Sequence, residues 1–253
     1  MSAGIAASPS TSSHSDSLRV PLPPPPAALA EATDIVGYIP YVERVASRPG
    51  LTLHPSDNRV EIDRSQHALE MAVEGKNVVV VSSGDPGVFA MAAAVFEAVE
   101  AGPAEWRELD IEVLPGITAM LAASARAGAP LGHDFCTINL SDNLKPWEII
   151  EKRLRLAAQA DFAMAFYNPR SKSRPEGFEK TLEILKDECQ DDRPVIFARN
   201  VSRPDETIKV CPLNETTADM ADMRTMVIVG SSKTRIIERC NAAPLIYTPR
   251  SVS

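Results

Sequence analysis

The sequence has few aromatic side chains and no excess of positive charge. Phe, Trp and Tyr make up 5% of its 253 residues, and 26 Lys and Arg residues stand against 34 Asp and Glu residues, which gives a net charge of −8. Surfaces that bind nucleic acid or anionic lipid are basic, and aromatic side chains commonly accompany the cations. The composition therefore argues against nucleic-acid and membrane partners.

Long apolar segments are also missing. The longest uninterrupted one runs from Val88 to Phe96 and ends at Glu97, far short of the ~20 residues that a membrane-spanning helix needs. The first residues have neither the basic start nor the apolar stretch of a secretory signal peptide. These features predict a cytoplasmic protein.

Clusters of metal-binding or disulfide-forming residues are absent as well. The four cysteines and four histidines lie scattered along the chain, without the spacing of a zinc site or a disulfide framework. The sequence has no Walker loop, no Gly-x-Gly-x-x-Gly after a strand and no nucleophile-elbow serine. We expect reduced thiols and no bound metal.

Residues 1–26 differ in composition from everything that follows. Seven serines lie between Ser2 and Ser17, and the segment ends in the run Pro23 to Pro26. Such a segment has too little apolar surface to offset the entropy lost on ordering. We expect residues 1–26 to form a disordered tail, with a proline-rich ligand for a partner domain as the alternative.

From residue 27 onward, patterns typical of strands and helices alternate. Strands are predicted at 34–38, 77–81 and 111–114, and helices at 27–33, 65–74, 87–100 and from 119 to about 128. Ser65 is the predicted N-cap of the second helix, and Gly75 is its predicted left-handed stop. The continuous β-branched run at 77–81 and the βαβα order indicate a parallel sheet with crossover helices.

A stretch containing Pro130 and Gly132 is read as a linker to a second α/β half. Strands are predicted there at 135–140, 162–167, 195–199, 207–210 and 226–229, with helical segments at 147–158, 177–190 and 216–223. The turn at 203–206 predicts a β-hairpin, which makes the second sheet mixed. The expected domains are 27–130 and 131–253.

The first loop of interest is Ser83-Gly84-Asp85-Pro86, which follows a predicted strand. Ligands in α/β sheets bind beyond the carboxyl ends of strands. Gly84 permits a positive φ or a close backbone approach, and Pro86 suits the first position of a helix. Asp85 can cap that helix or accept hydrogen bonds from ribose hydroxyls, and the loop alone does not decide between these roles.

Two further loops have the chemistry of a ligand site. In Pro115-Gly116-Ile117-Thr118-Ala119, the threonine hydroxyl and the free N–H groups of a helix start are available, although a turn and cap would use the same residues. The third loop begins at Tyr167 and Asn168 and carries the cations Arg170, Lys172 and Arg174. These cations indicate an anionic ligand, with a solvated loop as the alternative.

Six segments resemble, in order, motifs of the tetrapyrrole methylase family, whose members take a methyl group from S-adenosylmethionine (SAM). They are SSGDPGVFAM, VLPGITAMLAASARAG, LGHDFCTINLSDNLKPWE, AFYNPRSKSR, ARNVSRPDE and VIVGSSKT. The resemblance covers residues 27 to 235. It implies two α/β domains, the first sheet mainly parallel and the second mixed, with SAM in the cleft between them, and it implies a homodimer.

The resemblance also assigns roles to individual residues. It implies that the cofactor is bound by Ser83, Gly84, Asp85, Thr118, Ala119, Tyr167, Asn168 and Ile196. Residues 140–148 and 167–171 resemble the members of cobalamin biosynthesis that methylate carbon 17 of the macrocycle and contract its ring. The substrate of such an enzyme carries acetate and propionate groups, so Arg170, Lys172 and Arg174 are the candidate carboxylate ligands. Asp142 is the candidate acid for ring contraction, and capping of the turn before Pro146 is its alternative role.

Other activities remain open at this point. They are methylation at carbon 11 or carbon 20, methylation of ribosomal RNA or of a protein residue, and SAM binding without catalysis. The last has support in one departure from the family, whose members begin with a strand that leads into Gly-x-Gly-Pro-Gly. Here no glycine lies between Gly4 and Gly37, either because the start of the sequence is not the native one or because a strand and part of the pocket are lost. If that strand and loop are lost, we expect weakened SAM binding and an exposed sheet edge.

Overall fold

The computed structural model describes residues 2–9, 25–57 and 60–251. The chain divides into two compact units, Met1–Thr118 and Ala119–Ser253. The division precedes the expected boundary near residue 130 because the helix after residue 118 packs with the second unit. Its residues Ala123 and Ala127 are buried in one cluster with Ala165 and Ile228, which are strand residues of that unit.

The first unit is built on a five-stranded sheet. Its strands are β1 (Ser2–Pro9), β2 (Asp34–Tyr38), β3 (Thr52–Ser56), β4 (Val78–Ser83) and β5 (Leu109–Leu114), and their order in the sheet is β3-β2-β4-β1-β5. Its α-helices are α1 (Pro25–Glu31), α2 (Ile39–Val42), α3 (Glu61–Val73) and α4 (Met91–Ala101), and Ala104–Glu108 form a short 3-10 helix.

Both faces of this sheet are covered, as the β-branched run in β4 predicts. Val78 and Val80 pack in the cluster that contains α3 and α4 residues, while Val79 and Val81 pack in the cluster that contains α1 and α2 residues. Successive side chains of a strand point to opposite faces. The sheet is mainly parallel, since β2, β3, β4 and β5 share one direction.

Strand β1 corrects the expectation of a disordered tail for residues 2–9. It runs antiparallel between β4 and β5 and pairs with both of them. Ile5 and Ala7 are buried with Val78 and Val80. This tertiary packing stabilises a strand that the local composition of residues 2–9 does not predict. The edges of β4 and β5 that we expected to be exposed are therefore paired. The last two residues of the predicted tail, Pro25 and Pro26, begin α1 and are likewise not disordered. Residue 1 and residues 10–24, the rest of the predicted tail, lie outside the described residues.

Two predicted helix starts are also wrong. Helix α3 begins at Glu61, and the Ser65 hydroxyl donates to the Glu61 carbonyl oxygen at 2.8 Å instead of capping the helix. Helix α4 begins at Met91, because residues 84–90 form turns and bends. Gly75, at φ +91°, is the left-handed stop that was predicted for α3.

The second unit contains a mixed five-stranded sheet and a small three-stranded one. The elements are α5 (Ala119–Ala127), β6 (Gly128–Ala129), β7 (Phe135–Asn139), α6 (Trp147–Gln159), β8 (Ala163–Tyr167), α7 (Gly177–Glu188), β9 (Pro194–Arg199), β10 (Thr207–Pro212), β11 (Thr225–Val229), β12 (Arg235–Ile237) and β13 (Leu245–Tyr247). The sheet orders are β10-β9-β11-β8-β7 and β12-β13-β6.

The hairpin and the mixed sheet of this half are confirmed. β9 and β10 pair antiparallel, whereas β7 and β8 are parallel. Side chains from α6 and α7 pack on one face of the large sheet and side chains from α5 on the other. The predicted helix at 216–223 is replaced by a single 3-10 turn, Ala218–Met220, and a second such turn, Leu213–Glu215, precedes it. The predicted linker begins with the short strand β6.

Across the ranges 2–9, 25–57 and 60–251, no helix is long and apolar enough to cross a membrane. Within the same ranges, no group of His, Cys, Asp or Glu side chains is arranged to hold a metal ion. The four cysteines are free thiols, and burial raises the pKa of the Cys136 thiol to about 11.

Replacement of Ile5 by Ala tests the position of β1. The side chain is 1% exposed in the core of the first unit, so we expect the free energy of unfolding to fall by about 2–4 kcal/mol. Ile62→Ala on α3, where the side chain is 39% exposed, is the control and should cost less than about 1 kcal/mol. Denaturant unfolding of both variants gives the comparison, and equal small losses would show that residues 2–9 do not belong to the sheet.

Candidate functional site

The first candidate region lies at the carboxyl ends of β4 and β5. Both strands are antiparallel to β1, so they run parallel to each other and end at the same edge of the sheet. Ser83 ends β4 with an exposed side chain, and Gly84 follows with φ +81°. The positive φ expected of Gly84 is confirmed, and it turns the chain sharply away from the strand.

Asp85 joins the two loops at this edge. Its Oδ1 atom accepts the Gly87 N–H at 2.8 Å, and its Oδ2 atom accepts the Gly116 N–H at 3.0 Å. Asp85 does not cap α4, one of the two roles that the sequence left open, because that helix begins six residues later. Asp85 instead fixes the loop after β4 to the loop after β5.

Strand β1 meets this edge with its amino end. Ser2 pairs with Ser83 there, whereas Pro9 pairs with Leu109 at the opposite edge. The carboxyl end of β1 thus lies at the opposite edge of the sheet from the carboxyl ends of β4 and β5. Thr118, the last residue of the first unit, is buried.

The second candidate region lies at the carboxyl ends of β7 and β8. Tyr167 ends β8, and its hydroxyl accepts the N–H of Met120 at 3.2 Å. Ala119 and Met120 form the first turn of α5, where N–H groups lack partners within the helix. One N–H of the helix start that was predicted to be available to a ligand is therefore taken by Tyr167.

Asn168 connects the ends of the two strands. It has φ +52°, and its Nδ2 atom donates to Oδ1 of Asn139 at 3.1 Å. The same oxygen accepts the Ser141 N–H at 3.0 Å, and Lys145 donates to the carbonyl oxygens of Asn139 and Ser141. Burial, together with the charge of Arg153, lowers the pKa of Lys145.

Asp142 does not cap this turn, in contrast to the alternative that the sequence left open. Within the described part of the chain, the turn is held by Asn139 and Lys145, and α6 begins after Pro146 without a side-chain cap. The Asp142 side chain is 46% exposed, and its Oδ1 atom lies 3.8 Å from Nε of Arg174.

Ile196 is placed differently from the expectation. It lies in the middle of β9, its side chain has no exposed surface, and it packs with Ala165, Met226 and Ile228. The branched side chain of a central strand is a core residue here. The structure therefore does not support a cofactor contact by the Ile196 side chain.

The three cations of the loop after β8 have different surroundings. Lys172 is exposed, and Nε of Arg170 is buried without a hydrogen-bond partner among the residues described. The Arg174 side chain is 15% exposed. It lines a pocket of about 300 Å³ together with Asp142, Trp147, Glu176 and Lys180. Neither Arg170 nor Lys172 lines this pocket, so the structure does not place the three cations in one cluster.

The arrangement of loops beyond parallel strands can be compared with known families. The sequence profile of the Tetrapyrrole (Corrin/Porphyrin) Methylases matches residues 27–217, well over half of the chain. The chain belongs to the tetrapyrrole methylase family. The resemblance found in the six sequence motifs is thereby confirmed.

Two methylases of known sequence and one of known structure show how close the match is. The precorrin-3B C(17)-methyltransferase of a Sinorhizobium species is 56% identical over 223 residues, which cover 88% of each protein. The probable cobalt-factor III C(17)-methyltransferase of Salmonella typhimurium is 38% identical over 87% of this chain and 91% of that one. The crystal structure of the methyltransferase CobJ gives a TM-score of 0.84 and 66% identity over 88% of this chain and 91% of its own.

Several residues of these methylase loops were missed by the sequence reasoning. Asn139 lies at the carboxyl end of a correctly predicted strand, and that position could have identified it as a site residue. Trp147 and Lys180 lie near the starts of two predicted helices, α6 and α7. Only the parallel pairing of β7 and β8 brings these helix starts to one edge, and the sequence pattern does not contain that pairing.

Asp85→Asn tests the link between the two loops of the first unit. The amide keeps one acceptor oxygen for two backbone N–H donors, so we expect one of the two loops to be released. The free energy of unfolding should then fall by about 1–3 kcal/mol. Hydrogen exchange followed by mass spectrometry should show faster exchange in residues 84–90 or 114–118. Asp110→Asn on β5, where the side chain is exposed, is the control. Unchanged exchange in both loops would contradict the link.

Proposed function

We propose that the chain is a SAM-dependent C-methyltransferase of cobalamin biosynthesis, which methylates carbon 17 of precorrin-3B and contracts the ring to give precorrin-4. The observation that carries this proposal is the 56% identity to a precorrin-3B C(17)-methyltransferase across 88% of both proteins. The relative named for cobalt-factor III is 38% identical, so the comparison favours the metal-free substrate. By resemblance to the family we also propose a cytoplasmic homodimer.

The first unit supports SAM binding through backbone groups. Ser83 is exposed at the end of β4, and Gly84 turns the chain without a side chain in the way of a ligand. Asp85 holds this loop against the one at Gly116, so a bound molecule would meet a fixed surface. We assign Ser83, Gly84 and Thr118 from this unit to the cofactor, and we assign Asp85 the role of positioning their loops.

In the second unit we assign Ala119, Tyr167 and Asn168 to the cofactor. Tyr167 and Asn168 are held in place by hydrogen bonds to Met120 and Asn139, so their side chains are positioned before any ligand arrives. Ile196 is left out of this set because its side chain lies in the core. When bound, SAM supplies an electrophilic methyl group.

The residues present suit a reaction that depends on positioning. Transfer of a methyl group to an electron-rich carbon needs no strong general base, and positioning of the two reactants alone gives effective molarities of about 10⁵ M or more. The candidate loops accordingly consist of glycine, proline, small residues and amides. No pairing of histidine with a carboxylate is found in the loops that follow β4, β5, β7 and β8.

The cationic residues suit the carboxylates of the substrate. Nε of Arg170 is buried without a hydrogen-bond partner among the described residues, and Lys172 is exposed. Arg174 lies 3.8 Å from the carboxylate of Asp142. We propose that all three bind acetate or propionate groups, and that the Arg170 guanidinium forms a bidentate pair with one of these carboxylates.

The antiparallel direction of β1 supports a second candidate function, SAM binding with impaired catalysis. Family members have a glycine-rich loop after their first strand, and here the end of β1 lies at the opposite edge of the sheet from Ser83. The carboxyl end of β1 is then not positioned to offer backbone donors to a cofactor beside Ser83. Methylation at another carbon of the macrocycle is the remaining alternative.

Incubation of the full chain with methyl-labelled SAM and precorrin-3B tests the proposal. We expect label in a product whose mass and NMR spectrum correspond to methylation at carbon 17 and a contracted ring. Label at carbon 11 or carbon 20 would replace the proposed regiochemistry. Binding of SAM without transfer would establish the second candidate function instead.

Asp142→Asn tests whether the Asp142 carboxyl group is the acid for ring contraction. The amide cannot donate the proton needed at the oxygenated meso carbon, so we expect a methylated, uncontracted product to accumulate and contraction to slow by about 100-fold or more. Product masses and NMR spectra follow the two steps separately. Asp192→Asn, at an exposed loop position, is the control. Contraction at the unmodified rate in the Asp142 variant would exclude this role.

A further inference from the structure

The pocket beside Asp142 lies wholly within the second unit, at the carboxyl ends of its parallel strands β7 and β8. Leu140 and Asp142 reach it directly after β7, and Arg174 reaches it from the loop after β8. Trp147 and Lys180 enter from the first turns of α6 and α7. Its volume of about 300 Å³ is at the lower end of the range for ligand sites, which suits a side arm of a ligand better than a whole macrocycle.

The two cations of this pocket are held by loose ion pairs. Nε of Arg174 lies 3.8 Å from Asp142, and Nζ of Lys180 lies 3.8 Å from Glu176. Hydrogen bonds between N–H donors and oxygen span about 2.7–3.2 Å, so both distances exceed the hydrogen-bond range. The carboxylates of the pocket therefore leave donors of both cations available to another acceptor.

Ion pairs elsewhere in the same unit are tighter. Arg155 and Glu188 are 2.8 Å apart, and Arg199 and Asp222 are 3.0 Å apart. Long nitrogen–oxygen distances in ion pairs are thus a feature of the pocket rather than of the whole unit.

The pocket also has an apolar wall. The lining residue Leu140 is 1% exposed, and the Lys180 ammonium lies 5.7 Å from the centre of the Trp147 ring. A cation at that distance is attracted to the aromatic face, which holds Lys180 over the ring. An apolar wall next to two cations matches a methylene stem that ends in a carboxylate.

We propose that this pocket is a subsite for one acetate or propionate arm of the tetrapyrrole, an inference that rests on the proposed function. The arm packs its methylene carbons against Trp147, and its carboxylate takes the donors of Arg174 and Lys180. Asp142 and Glu176 are then competitors that hold the cations in place until the arm enters. Lys180, Trp147 and Glu176 become residues that set substrate affinity.

Binding of uroporphyrin III tests the subsite without need of methyl transfer. This porphyrin is fluorescent and carries acetate and propionate arms, so its affinity for the full chain is measured by fluorescence anisotropy. Lys180→Met should weaken binding about tenfold, the factor expected for loss of one charge-assisted hydrogen bond. Lys152→Met makes the same charge change on an exposed part of α6 outside the pocket, and it should alter affinity less than about twofold.

Removal of the competing carboxylate gives the sharper result. Glu176→Gln should tighten binding about two- to fivefold, because the carboxylate of the incoming arm no longer meets the negative charge of Glu176 beside Lys180. Glu151→Gln is the matched control, since Glu151 pairs with Arg155 outside the pocket. A purely structural role for the Lys180–Glu176 pair predicts no gain of affinity. Should Lys180→Met fold poorly, Lys180→Arg keeps the charge and should keep the affinity.

The outcomes separate the subsite from the proposed function. Equal affinities for the Lys180 and Lys152 variants, equal affinities for the Glu176 and Glu151 variants, or no binding of uroporphyrin III by the unmodified chain would each overturn the subsite. If the unmodified chain fails to methylate precorrin-3B but the predicted affinity pattern appears, the subsite stands and the proposed function falls. If the unmodified chain methylates precorrin-3B but the affinity pattern is absent, the proposed function stands and the subsite falls.

Discussion

Strands that run parallel end at the same edge of their sheet, and the candidate site residues of both units depend on this constraint. In the first unit, it brings the loops after β4 and β5 together, where one carboxylate, that of Asp85, accepts an N–H from each. In the second unit, it brings Asn139 beside Asn168. Loops held in this way present fixed backbone groups, which is what a reaction governed by positioning requires.

Patterns that act over short distances could be predicted from the sequence. The β-branched run of β4 indicates a strand buried on both faces, and its valines do pack into two different clusters. Gly75 marks the end of α3 because a left-handed residue is needed within one turn of the last helical position. The hairpin between β9 and β10 likewise follows from residues that are close in the chain.

Features that depend on distant partners could not be predicted in this way. Gly4 to Ala7 have no strand pattern of their own, and they form a strand because they pair with both β4 and β5. Asp85 has the sequence position of a helix cap, yet its second acceptor atom binds an N–H that is 31 residues away. Ile196 matches a family motif position, but only the packing of the sheet shows that its side chain is enclosed.

The direction of β1 has a practical consequence for anyone who handles this protein. Because Ser2 pairs with Ser83, a purification tag or fusion partner joined ahead of Ser2 would emerge beside the turn at Gly84, at the rim where the loops after β4 and β5 meet. Enzymatic assays and crystallisation are therefore better served by a chain whose amino-terminal tag has been removed.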